Sequence, residues 1–168
     1  MRYTIKHTIE TDVETYMSKL FFDAEFNRAM FVEGLNFTHY QVLEDVREPD
    51  GTVRKRVEAT PKIELPAAAR KIFGNSVGYT EIGRYDPALK KYFADVVPKV
   101  AADKVKTTSE IWAEARGDKR CERIAQLDTT VKVFGLGTLL EGFIEQQTRE
   151  QYAKAAEFTN RWIRDKGL

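Results

Sequence analysis

Apolar and polar positions alternate strictly at the start of the chain. In RYTIKHTI, Tyr3, Ile5 and His7 share one face while Arg2, Thr4 and Lys6 share the other, the period of two that marks a half-buried strand. The period then lengthens. Val13, Tyr16, Met17, Leu20 and Phe21 recur at helical spacing behind TDVE, in which Thr11 and Glu14 stand at the separation of a capping box. Asp23 can cap a second short helix whose apolar set is Phe26, Ala29, Met30 and Val32, with Gly34 to end it.

Period two returns from Phe37 to Val46 and from Thr52 to Ile63, two runs joined by the turn residues EPDG. In the second run Val53, Val57, Ala59 and Ile63 share the core face, and Arg54, Arg56, Glu58 and Lys62 the wet one. VGYTEIGRY, KYFADVVPKV, KTTSEIWAEA and KRCERIAQLDTTVKVF predict four further strands. On the last of them Cys121, Ala125, Leu127, Val131 and Val133 point inward with Arg123 and Thr129 among them. The remainder predicts one long helix, opened by a second capping box at Thr138 and Glu141 and carrying Leu139, Leu140, Phe143, Ile144, Phe158, Trp162 and Ile163 as its apolar set. At 1.5 Å per residue it spans roughly 40 Å, enough to cross a whole sheet. The expected fold is α+β: a curved antiparallel sheet of about seven strands gripping a long C-terminal helix, with two short helices after the first strand, as one domain over residues 1–168.

Composition narrows the function. Lys+Arg 27 against Asp+Glu 26 leaves a formal net charge of +1, so no overall field draws nucleic acid. Cys121 is alone, and His7 and His39 lie too far apart in sequence to make a metal-ligand spacing with it, so neither disulfide nor metal is expected. The opening residues lack the apolar core of a signal peptide, and the chain is read as cytoplasmic.

Several positions resist a purely structural reading. PKIELPAAARKIFG, residues 61–74, places a short helix start at Pro66, close-packing alanines, and an apolar side of Leu65, Ile72 and Phe73 between two strands. It is either a gate that touches ligand or membrane, or a plug for the end of the sheet. Arg123 falls on an inward face, where it must meet a carboxylate, a ligand or the cavity mouth, or else snorkel out from the strand's end. Gln147, Thr148 and Gln151 interrupt the helical register of Leu140 and Ile144, and face either a cavity or solvent. Tyr79 and Glu81 share a face of their strand without the pattern saying which, and with His39 and Arg123 they could converge as acid and base. Either Trp112 or Ile111 must point out. No nucleophile elbow or paired-carboxylate motif appears, and no catalytic residue is assigned. GLGTLL precedes a helix but lacks a following strand and has Leu140 where a third glycine belongs, which argues against a dinucleotide site.

ELPAAARKIFG before the fourth strand, YTEIGRYD within it, and VKVFGLGTLLEGFIEQQ from last strand to helix together resemble the START-like (helix-grip, SRPBCC) superfamily, and within it an uncharacterised bacterial domain-of-unknown-function family. The resemblance implies a cavity between sheet and terminal helix that holds a lipid or other hydrophobic small molecule without any cofactor, with transient membrane contact and lipid transfer. The residues expected to touch the ligand are Leu65, Ile72, Phe73, Tyr79, Glu81, Trp112, Arg123, Phe143, Gln147 and Gln151. The alternatives are a polyketide-cyclase-like or hydratase-like enzyme using the same pocket, and a protein-interaction module.

Overall fold

The computed structural model describes residues 1–75 and 77–168. Its strands are β1 (Arg2–Ile9), β2 (His39–Arg47), β3 (Val53–Thr60), β4 (Tyr79–Asp86), β5 (Lys91–Pro98), β6 (Val105–Ala115) and β7 (Cys121–Val131). They form one open antiparallel sheet in the order β1-β7-β6-β5-β4-β3-β2. Consecutive strands from β2 to β7 are neighbours, whereas β1 and β2 lie at opposite edges. The connection between those edges carries two short helices, α1 (Val13–Tyr16) and α2 (Ala24–Ala29), each followed by a π-helical turn, Met17–Phe21 and Met30–Gly34. α3 (Ala67–Phe73) lies between β3 and β4, and α4 (Gly137–Lys166) closes the chain. The sequence pattern thus predicts every strand and helix, and the helix-grip layout is the one observed.

The short helices begin differently from the expected capping box. Asp12, not Thr11, caps α1: its carboxylate accepts from the Thr15 amide at 2.9 Å and from the Thr15 hydroxyl at 2.7 Å. Adjacent residues of nearly equal capping power compete for such a site, and Thr11 is buried instead. Asp23 caps α2 as expected, through the Phe26 amide at 2.7 Å. α4 has no side-chain cap. Its Glu141 reaches back to accept from the Val131 amide at 2.9 Å, tying the first turn of the helix to the strand the chain has just left. Leu139 and Val32, counted in the apolar sets, are exposed.

The core is richest where the helical connection crosses the C-terminal half of α4. Ile9, Tyr16, Leu20, Phe26, Ala29, Cys121, Ala156, Phe158 and Ile163 form one buried cluster there. Close approach depends on Gly34. A Cβ at that position would stand 2.6 Å from a Phe158 ring carbon, well inside van der Waals contact. At the other end of the helix a second cluster joins Leu65, Ala69 and Phe73 of the α3 segment to Val105, Val131 and Leu140.

Gly34→Ala is therefore expected to cost about 1–3 kcal/mol by overpacking against Phe158, read as a drop of several degrees in melting temperature. An unchanged melting temperature would show that the crossing has slack.

Candidate ligand cavity

A helix laid over a curved sheet meets it well at its two ends and poorly in between. On α4, Leu140 is buried, and so are Ala155, Ala156, Phe158, Thr159 and Ile163, but no residue between Leu140 and Ala155 is. That middle stretch faces space. Two lobes open beneath it. The first, about 180 Å³, lies against the helical connection and is walled by residues that include Phe31, Tyr40, Lys55, Ile111 and Arg123. The second, about 230 Å³, lies against α3, between Phe73, Val96, Val105, Phe143, Ile144 and Gln147. The lobes share Phe37, Tyr79, Glu81, Gln151 and Tyr152, which form a waist.

Alternation along the strands puts polar groups on this wall. Glu81 on β4 is paired with Val57 of β3 and Val96 of β5, and Gly83, two residues on, with Lys55 and Ala94. Tyr92 lies across Gly83 and donates its phenol proton to Glu81 Oε1 at 2.8 Å. A Cβ on Gly83 would sit 1.7 Å from that phenol oxygen, so the missing side chain is what lets the hydrogen bond form. Burial pushes the Glu81 carboxyl above the usual carboxylate range, against the opposing pull of the Tyr92 hydrogen bond and the Lys55 charge. Burial likewise pushes up the phenols of Tyr79, Tyr92 and Tyr152, and that of Tyr40 to about 12, so all four are neutral donors.

Arg123 is only 6 % exposed, which overturns the idea that it snorkels to water. Among the described residues it meets no carboxylate either. One terminal nitrogen donates to the Tyr152 carbonyl at 2.8 Å and approaches His7 Nδ1 at 3.3 Å, the guanidinium carbon lies 4.9 Å from the centre of the Tyr152 ring, and Nε is buried without a partner. Burial first, and Arg123 second, lower the pKa of His7, which fits an imidazole that accepts at Nδ1. Gln151 Oε1 is also buried and unpartnered.

Of the residues singled out in the sequence, Phe73, Tyr79, Glu81, Arg123, Phe143, Gln147 and Gln151 are brought together on these walls. Trp112 is not. Ile111 takes the wall position, and Trp112 is turned to the outer face, where it donates to Glu114 at 3.0 Å and lies beneath the Lys91 ammonium at 4.4 Å. His39 is outside as well, beside Glu58 at 3.9 Å. Leu65 and Ile72 pack in the cluster under α3 and line neither lobe. Phe73 is only 6 % exposed and walls the second lobe, so the segment is packed against the sheet's end. Lys55, Tyr40, Tyr92 and Tyr152 escape the sequence reading. Strict alternation from Val53 and Val57 signals Lys55, since it falls between them on the same face.

The sequence matches the family model described as "Protein of unknown function (DUF2505)" over residues 4–163. The chain belongs to that family. No curated protein matches it. Solved structures share its fold at low identity. A START superfamily protein from Mycobacterium smegmatis is 18% identical, with a TM-score of 0.65 over 96% of this chain and 98% of that one. The Zhui aromatase/cyclase from Streptomyces sp. R1128 is 13% identical, with 0.63 over 96% and 94%. A point mutant of norcoclaurine synthase from Thalictrum flavum, in complex with a transition-state analogue, is 14% identical, with 0.68 over 100% and 98%. The fold is START-like, of the SRPBCC type.

Two substitutions test this geometry. Folding raises the Glu81 carboxyl above its ordinary value of 4.5, so the folded chain holds a proton the unfolded one releases, and this residue's contribution to stability falls as pH rises from 4.5 through the folded value. Glu81→Gln keeps an acceptor for Tyr92 and removes that dependence: it should melt higher than the parent at pH 8, with the gap closing as pH is lowered toward 4.5. Equal melting at pH 8 would contradict a buried carboxyl. Phe73→Asp should lower the melting temperature by roughly 10 °C, the cost of a charge in a packed cluster, whereas a mobile gate would tolerate it.

Proposed function

We propose that this chain binds a hydrophobic small molecule, such as a lipid, in the two-lobed cavity, and carries it. The observation behind this reading is the middle of α4. Phe143, Ile144, Gln147, Thr148, Gln151 and Tyr152 border space rather than protein, and a fold that leaves apolar surface unpacked in its own centre forgoes stability that a bound apolar body would return. Transfer draws support from the surface around the β7–α4 corner. Phe134 is fully exposed there, followed by the exposed Leu139, and the Lys132 amide is tied to the Lys104 carbonyl of the β5–β6 loop, whose Val100 is exposed too. An apolar tip among lysines suits transient contact with an anionic bilayer.

A second reading, a cyclase-like enzyme, is favoured by one feature. Glu81 is a carboxyl with a raised pKa on the wall of the cavity, held by Tyr92, and such a group can give or take a proton. Neighbours of the same fold include an aromatase/cyclase and a norcoclaurine synthase.

The carrier reading is tested by titrating an apolar fluorescent probe and by native mass spectrometry of the purified protein. One-to-one binding is expected, and Gln147→Trp, which fills the second lobe from α4, should weaken it at least tenfold while the melting temperature holds. Equal probe affinity in the filled variant would remove the cavity from the account.

A further inference from the structure

The polar groups on the first lobe are unbalanced, and the imbalance has a sign. Its wall holds two buried cations, Arg123 at 6 % and Lys55 at 8 % exposure. Lys55 has the Asp45 carboxylate at 3.7 Å, longer than a hydrogen bond, and Glu81 nearby on β4. Arg123 makes no ion pair among the described residues. Its partners are a carbonyl, a ring nitrogen and the buried Tyr16 phenol, all neutral, and Nε is left over. The phenols of Tyr40, Tyr79 and Tyr152 stand on the same wall. Among the described residues, the buried acceptor on this wall without a partner is Gln151 Oε1. Glu81 already receives Tyr92, and Glu157, which acts on His7, is exposed on α4.

A buried guanidinium without a counter-ion is costly, and an anion placed against it recovers that cost. Resting on the carrier reading above, we propose that the ligand is an amphipath with an acidic head, a carboxylate on an apolar body, whose head seats at Arg123 in the first lobe. Its apolar body passes the waist at Tyr79 and Tyr152 into the second lobe, against Phe143, Ile144 and Phe73. The phenols of Tyr79 and Tyr152 donate to the head from the sides, and the Tyr152 ring, already stacked under the guanidinium, holds Arg123 in place. Arg123 is thus a binding residue, and Tyr152 both binds and positions.

The experiment compares three probes of one chain length, dodecanoate, dodecanol and dodecylamine, by displacement of an apolar fluorescent probe from the native protein. Dodecanoate should bind at least tenfold more tightly than dodecanol, and dodecylamine most weakly. In Arg123→Met the ratio of acid to alcohol affinity should collapse toward one, and in Arg123→Lys it should survive in part. Should Arg123→Met fail to fold, a carboxyl-labelled dodecanoate decides the matter on the native protein, since its bound carboxyl must titrate below the free acid. Equal binding of acid and alcohol, or preferred binding of the amine, overturns the acidic head and leaves the carrier reading standing. Failure of all three, together with failure of the apolar probe, overturns both.

Discussion

One α-helix cannot fill the hollow of a seven-stranded sheet. A helix with its side chains is about 10–12 Å across, and the sheet turns past it on both sides. The two ends of α4 solve the problem with large neighbours, Phe26 and the helical connection at one, Leu65, Ala69 and Phe73 at the other. The middle is tied to β1 and β7, through Arg149 to the Thr4 carbonyl and Arg123 to the Tyr152 carbonyl, and the rest of its inner side borders the two lobes. What remains between sheet and helix is the cavity, and the placement of α3, the glycine at the Phe158 crossing and the tie from Glu141 to β7 all secure the ends so that the centre can stay open.

A cavity of this origin is lined by whatever the strands turn inward, and here that includes ionisable groups. Each is handled by a different device. Glu81 has a phenol brought to it over a glycine; Lys55 has a carboxylate on the neighbouring strand; Arg123 has a backbone carbonyl in the middle of a helix. The first is satisfied by a direct hydrogen bond, the second partly, the third least. Polar atoms in a low-dielectric setting interact more strongly than on the surface, so an incoming molecule is selected by these few groups far more than by the apolar walls, which accept any body of suitable size.

Element order and the inward positions of β7 were legible because alternation and helical spacing are local properties of the chain, while the runs predicted for β3 and β7 overran their ends at Thr60 and Val131. Which face a strand presents was not, where both faces are mixed. YTEIGRYD carries Ile82 on the outside and Glu81 on the inside, the reverse of a simple rule, and only pairing with Val57 and Val96 settles it. Ile111 and Trp112 are both apolar, so their assignment waited on the partners of β6. Alternation with Val53 and Val57 puts Lys55 on the inward face, but its charge between Arg54 and Arg56 masks that position. Its burial depends on Asp45, directly opposite in the β2 register, a relation between strands that no local pattern contains. Gln147 and Gln151 stood out for the opposite reason: they broke a register that was otherwise clear.

The pairing of β1 with β7 sets a schedule for the chain's birth. Every residue of β1 from Arg2 to Ile9 is paired in register with one between Cys121 and Asp128, so β1 leaves the ribosome long before the strand it pairs with. At about 5–20 residues per second, the opening strand waits on the order of ten seconds for its neighbour to be made. During that interval Tyr3, Ile5 and Ile9 have no sheet to join, while β2 to β6 can pair in order as they emerge. α4 follows β7 in the chain and is made later still, so the hollow between sheet and helix is covered late.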